Sequence, residues 1–211
     1  LDEKGIEYPS RRVRDSKREP GGNDVLPGTY KAVLHYGEMT SDQMIEVKED
    51  PRIDEFSMAN RKEQLAAQEK LQKLITDVEM VTSQLAKNKE TADGFKKLLK
   101  SRDDKAFKEQ IKATDSIVSQ IEKLQNKYFG TPDDRQGITR NPEVTVMNRI
   151  GTARSYIGSR QGSQTATEEQ LYNQAATLAR EINAESKSFL EKEWAAFVAE
   201  MKDVTIDMFE D

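Results

Sequence analysis

One histidine, His35, and no cysteine stand in the chain. Transition-metal sites need imidazole or thiolate ligands in groups, so a lone His on an alternating stretch reads as structural or exposed. The missing thiols remove disulfides, thiolate zinc sites and cysteine nucleophiles. Serines abound, but His35 is the only base of its kind, so no Ser-His-acid constellation is visible. Asp133 and Asp134 in "TPDDRQG" lack the oxygen-ligand spacing of an EF-hand and read as a turn. Asp and Glu together number 38, but glycoside hydrolysis needs two carboxylates at a fixed separation in a sugar-gripping cleft. The only Trp, Trp194, shares a helical stripe with Phe189 and Phe197, and core packing explains it. "GSRQGS" has neither the Lys-Ser/Thr nor the preceding strand of a phosphate loop. No metal, cofactor or catalytic residue is therefore expected.

The bulk numbers fit that negative. The chain has 211 residues, 35% hydrophobic and 34% charged, with a net charge of −5. Such a balance suits long amphipathic helices with solvated outer faces. An acidic chain lacks the basic surface that nucleic acid requires. No run approaches a membrane span. The opening "LDEKGIEYPS" has neither an initiator Met nor an apolar signal core. A mature or excised piece of a larger protein is the expectation.

Two kinds of element must position whatever the chain presents. Residues 1–25 are polar, with Arg11, Arg12, Arg14, Lys17 and Arg18 and a Pro-Gly-Gly at 20–22. They read as a solvated loop, with a basic docking patch as the alternative. Residues 26–52 read as a β-hairpin. Tyr30, Ala32, Leu34 and Tyr36 fall on one face and Lys31, Val33 and His35 on the other. "GEMTSD" connects them to a strand in which Gln43, Ile45 and Val47 alternate with Met44, Glu46 and Lys48.

From Asp54 the period becomes helical. Leu71, Leu74, Ile75, Val78, Val81 and Leu85 form a stripe with steps of three and four. Gly94 leaves the end open between Lys87 and Lys100, and "SRDD" at 101–104 supplies a turn and cap. A second helix carries Phe107 to Tyr128, and a third carries Val144 to Ile157. The fourth is capped at Thr165 or Thr167 and carries Leu171 to Val204, including Ala196. Met80, Met147 and Met201 read as core gap-fillers. The expected fold is mainly α with a small β part: a four-helix, up-down bundle preceded by a β-hairpin. The division is 1–52 (polar segment and hairpin) and 53–211 (bundle).

The order of pieces resembles a known family. "PGTY" (Pro27, Gly28, Thr29, Tyr30) and the later Val47, Asp50, Pro51 and Arg52, followed by a helical region, resemble the C-terminal region of bacterial secreted sortilin-like, Asp-box (BNR) β-propeller proteins, often labelled glycosyl hydrolase-like. "EYPSRR" and "NPEVTVMNRIGTARSYIG…TATEEQLYNQAATL" are similar to further parts of that region. The resemblance implies that the hairpin comes from a truncated β-sandwich, as the remnant of an immunoglobulin-like β domain that it ends, and that the protein is secreted or periplasmic. The chain has no Asp-box repeats and no propeller, so no propeller site residue carries over.

The expected function is a non-catalytic accessory or protein-interaction module. An elongated coiled-coil adaptor and a contributor to a glycoside-hydrolase site are the alternatives. The expected partner is the parent β-propeller domain or another protein, with self-association through the hairpin edge as a further route. The expected interaction surface is Tyr30, Leu34 and Tyr36. A two-stranded hairpin is marginal alone, so its apolar face should be covered by the helices, the N-terminal segment or another copy.

Overall fold

The computed structural model describes residues 1–14, 19–52, 57–132, 143–159 and 162–205. It is mainly helical, with two small antiparallel sheets. Asp133 and Asp134 lie outside the described residues, as do Lys17 and Arg18.

Helix α1 (Met58–Asp103) is the spine. At 1.5 Å per residue it is about 69 Å long. It passes both Lys87 and Lys100, because Ala92 and Leu99 are buried beyond the first break point. That burial outweighs the roughly 1 kcal/mol that Gly94 costs a helix. "SRD" lies inside this helix, and the Asp103 carboxylate accepts from Lys105 N and Ala106 N at 2.9 Å each. The motif therefore makes the turn, and the next helix starts without a side-chain cap.

Helix α2 (Lys108–Phe129) returns antiparallel along the C-terminal half of α1, where Lys89 meets Glu122 at 3.4 Å. Helix α3 (Val146–Gly158) lies along the other half, with the Gln64 amide donating to Ile157 O at 3.0 Å. Val144 precedes α3 and is exposed, so the stripe begins at Val146. Helix α4 (Ala166–Phe189) opens on a capping box in which Thr165 Oγ1 accepts from Glu168 N at 3.3 Å and Thr165 N donates to Glu168 Oε2 at 2.7 Å. It runs parallel to α1, with Lys70 over the Tyr172 ring and Asn183 donating to Asp77 O. Both α2 and α3 thus run against α1 and α4, one after the other.

The α4 rod continues through a π turn at Leu190–Trp194 into α5 (Ala195–Lys202). Trp194 is half-buried, 5.4 Å from Phe197 between ring centroids, and packs on the core. Ala196 is exposed, because the stripe beyond the π turn passes through Phe197. Met147 and Met201 pack on the core, whereas Met80 is exposed.

The core is continuous along the rods, with Ile75 and Leu85 of α1, Ile121 and Tyr128 of α2, and Ile150 of α3 all essentially inaccessible. Each such aliphatic side chain contributes about 1.5–3 kcal/mol relative to exposure.

The N-terminal segment is not a solvated loop. Strands β1 (Asp2–Lys4) and β2 (Gly21–Asp24) pair antiparallel, with a bulge. Glycine is required at two positions there, since a Cβ on Gly5 would overlap Pro20 O and one on Gly22 would overlap Glu3 O. Ile6 and Tyr8 pack on the core. Arg11 ties the segment to the end of α2, donating to Asn126 Oδ1 at 2.9 Å and to Gly130 O. A cation there faces the last carbonyls and the negative pole of the helix. Gln125 Nε2 donates back to Arg11 O at 3.0 Å. Of the expected basic patch, Arg11 is an intramolecular clamp.

Candidate interaction surface

Strand β3 (Gly28–Tyr36) and strand β4 (Met39–Val47) form the second sheet. All nine pairs are in register, from Gly28↔Val47 to Tyr36↔Met39. The connection is therefore two residues, Gly37 and Glu38, and not the six of "GEMTSD". Gly37 has φ 58 and no non-glycine residue has positive φ among those described. That is the type II′ pattern, which matches the twist of two strands. The strand reaches back to Met39 because Gly37 closes the turn at once. Beyond Val47, Arg52 clasps the Asp50 carboxylate (2.9 and 2.6 Å), which holds its pKa down at about 2.

The register sorts the side chains into two faces. One holds Tyr30, Ala32, Leu34 and Tyr36 opposite Ile45, Gln43, Ser41 and Met39, with Gly28 and Val47 at the base. None of those ten residues is charged. The other face carries Lys31, paired with Asp42 at 3.2 Å, together with Val33, Met44, Glu46, and His35 beside Thr40 at 3.4 Å. One apolar and one polar face is the pattern of a sheet that packs on one side only.

Nothing among the described residues covers the apolar face. Leu34 is 69% exposed, Tyr36 75% and Met39 66%. Tyr30 is half-buried, and its hydroxyl donates to Leu26 O at 2.6 Å at the base of the hairpin. The expectation that the chain's own helices or N-terminal segment shield the hairpin is thus overturned. The helices bury their stripes on one another, and the N-terminal segment is spent on α1, α2 and α3. Each strand also has a single neighbour, so both outer edges present unpaired backbone donors and acceptors.

The three residues named from the sequence therefore share one face, with Leu34 and Tyr36 toward the tip. Met39 joins them, and sequence reading missed it by placing it in the loop. The signal was available: Gly-Glu between two alternating runs is a two-residue turn.

Elsewhere the described residues contain no cluster of three or more His, Cys, Asp or Glu able to hold a metal. No described helix is long and apolar enough to cross a membrane. Comparison of the chain with protein-family models, with curated proteins and with solved structures finds no match.

Proposed function

We propose that the chain is a non-catalytic protein-interaction module, in which the helical bundle holds out the β3–β4 hairpin as a docking layer for a β-rich surface of a larger protein. The observation that carries this reading is the exposed, uncharged face built by Tyr30, Leu34, Tyr36 and Met39. A contiguous apolar face left open to water is costly and marks association. Its alternation with a polar face suits packing as one layer against a second sheet, and the open edges suit added strands. The likeness of the hairpin motifs to those of secreted sortilin-like Asp-box β-propeller proteins supports a place as their C-terminal accessory region, hence outside the cytoplasm. His35, the one imidazole, sits near the tip beside Thr40.

The test is photocrosslinking from position 36, with p-benzoylphenylalanine replacing Tyr36 in the producing cell and the products mapped by mass spectrometry. The expected result is a few crosslinks onto strand residues of one partner, abolished by Leu34→Glu. Crosslinks onto a second copy of the hairpin identify self-association as the route. Crosslinks scattered over unrelated proteins, or unchanged by Leu34→Glu, overturn the reading.

A further inference from the structure

We infer that two copies of the chain pair through the free edge of β3, antiparallel about a two-fold axis, to make one four-stranded sheet. The inference concerns the edge of the hairpin, so it adds to the docking reading of the face and does not depend on it.

The turn decides which backbone groups are free. Tyr36 and Met39 flank the two-residue turn, and the pair that closes such a turn is a hydrogen-bonded one. Hydrogen-bonded and non-hydrogen-bonded pairs then alternate along an antiparallel ladder that has no bulge. Tyr36, Leu34, Ala32 and Tyr30 therefore direct their N–H and C=O groups to β4. Thr29, Lys31, Val33 and His35 aim theirs outward, where no described strand meets them. A strand of nine residues with one such row unpaired is a template for another strand.

The side chains decide which edge is used. Charge along an edge strand discourages pairing. On β4 that guard is in place, because Glu46 and Lys48 stand along the strand 3.5 Å apart. On β3 the polar side chains lean away from the edge and over the ladder. Lys31 Nζ reaches Asp42 on β4 at 3.2 Å, and His35 Nδ1 lies 3.4 Å from Thr40 Oγ1. The outward residues left at the β3 edge are then Thr29 and Val33, which are uncharged and β-branched.

The occupant that fits this edge is β3 of a second copy. In the antiparallel register that overlaps the whole strand, Gly28 meets Tyr36 of the other copy, Tyr30 meets Leu34, and Ala32 lies on the axis. On the other face Lys31 meets Val33 and Thr29 meets His35, so no like charges stand directly opposite. The two Lys31 side chains are diagonal, and each is already neutralised by its own Asp42. The outward pairs supply about eight backbone hydrogen bonds at two per pair. The hairpins point opposite ways, so the two bundles lie beyond opposite ends of a strand about 30 Å long. A two-stranded hairpin is marginal in water, whereas three or more strands with one apolar face hold on their own. Both apolar faces fall on the same side of the joined sheet, which widens the docking layer. The contact is isologous and closes at two copies, since the edges left outermost are the charged ones of β4.

The test is the mass of the full chain in solution, by light scattering over a dilution series, with disulfide trapping as a second readout. The expected result is a dimer that dissociates on dilution. Val33→Pro removes an outward N–H and no β3–β4 bond, and should run as a monomer throughout. Met44→Pro makes the matching change at the β4 edge and should dimerise like wild type. The chain has no cysteine, so Ala32→Cys introduces one thiol per copy. It lies on the axis in a non-hydrogen-bonded pair, with Cα atoms about 4.5 Å apart, and should oxidise to a covalent dimer. Gln43→Cys, at the position across the hairpin from Ala32, should not. A wild-type chain that stays monomeric up to its solubility limit overturns the inference. So does a dimer that Val33→Pro leaves intact or that Met44→Pro loses equally, and so does equal disulfide yield at positions 32 and 43. These readouts need no larger partner, so their failure leaves the docking reading to its own crosslinking test.

Discussion

Tyr128 is the largest wholly buried side chain among the described residues, and its hydroxyl joins α2 to α4. It donates to Asn183 Oδ1 at 2.8 Å and lies 3.0 Å from Ser186 Oγ, which is itself inaccessible to solvent. Tyr128→Phe removes one hydrogen bond of about 1 kcal/mol net and leaves the Ser186 hydroxyl with less to bond, at about 1–2 kcal/mol more. The expected loss is about 2–3 kcal/mol, or roughly 5–10 °C in Tm for a chain of this size. Urea unfolding followed by helical circular dichroism at neutral pH measures it. Adding Ser186→Ala should recover about 1 kcal/mol, because two apolar partners leave no orphan. The pH arm is independent. Burial pushes the Tyr128 phenol up to about 12, with Ser186 lowering and Glu185 raising it, from an ordinary value of 10.0. The unfolded chain then gives up its proton first as pH rises. The stability from this group is complete below pH 10 and is lost through about pH 12, up to about 2.7 kcal/mol. Phenylalanine has no proton to lose, so the gap between wild type and variant should narrow over that interval. Burial raises Tyr8 and Tyr172 in both proteins alike, so they do not enter the difference. A Tyr128→Phe variant within about 0.5 kcal/mol of wild type, or a gap constant from pH 9 to 12, refutes the account of this buried junction.

Thr165→Ala breaks the capping box at the start of α4 and should cost about 1 kcal/mol in urea unfolding. Gly94→Ala replaces a mid-helix glycine whose Cβ would meet nothing, and should raise stability by about 0.5–1 kcal/mol. Arg11→Ala releases the segment from Asn126 and Gly130; limited proteolysis should then cut within residues 1–25 faster, with helical circular dichroism nearly unchanged.

The helices were legible because their stripes are wide and local. Steps of three and four from Leu71 to Leu85 require no knowledge of what lies opposite. The strand faces were legible for the same reason, as Tyr30, Leu34 and Tyr36 alternate whether or not anything covers them. The N-terminal ladder was not. Its second strand is Gly-Gly-Asn-Asp, which has no alternation, and it exists because Ile6 and Tyr8 anchor the segment on the bundle. That is a tertiary cause with no local trace. Arg11 shows the same limit, since charge in a polar run gives no hint that its partner is a carbonyl at the end of α2.

The π turn at Leu190–Trp194 acts as a phase shifter within a single rod. Were the rod α throughout, Phe197 would stand about 80° around from Phe189 at about 100° per residue, whereas five π steps of about 82° bring it back to within about 10°. The register offset is one residue: the inward positions become Leu190, Trp194, Phe197 and Met201, and Glu193, Ala196 and Glu200 stay in water. A helix normally cannot accept a single-residue change in length without rotating everything downstream. Here the extra residue is already absorbed as a local bulge, so shortening this stretch by one would return it to α geometry with both aromatic anchors still in phase. The rod thereby carries its own tolerance for a length change, at the one place where the hydrophobic code slips by a letter.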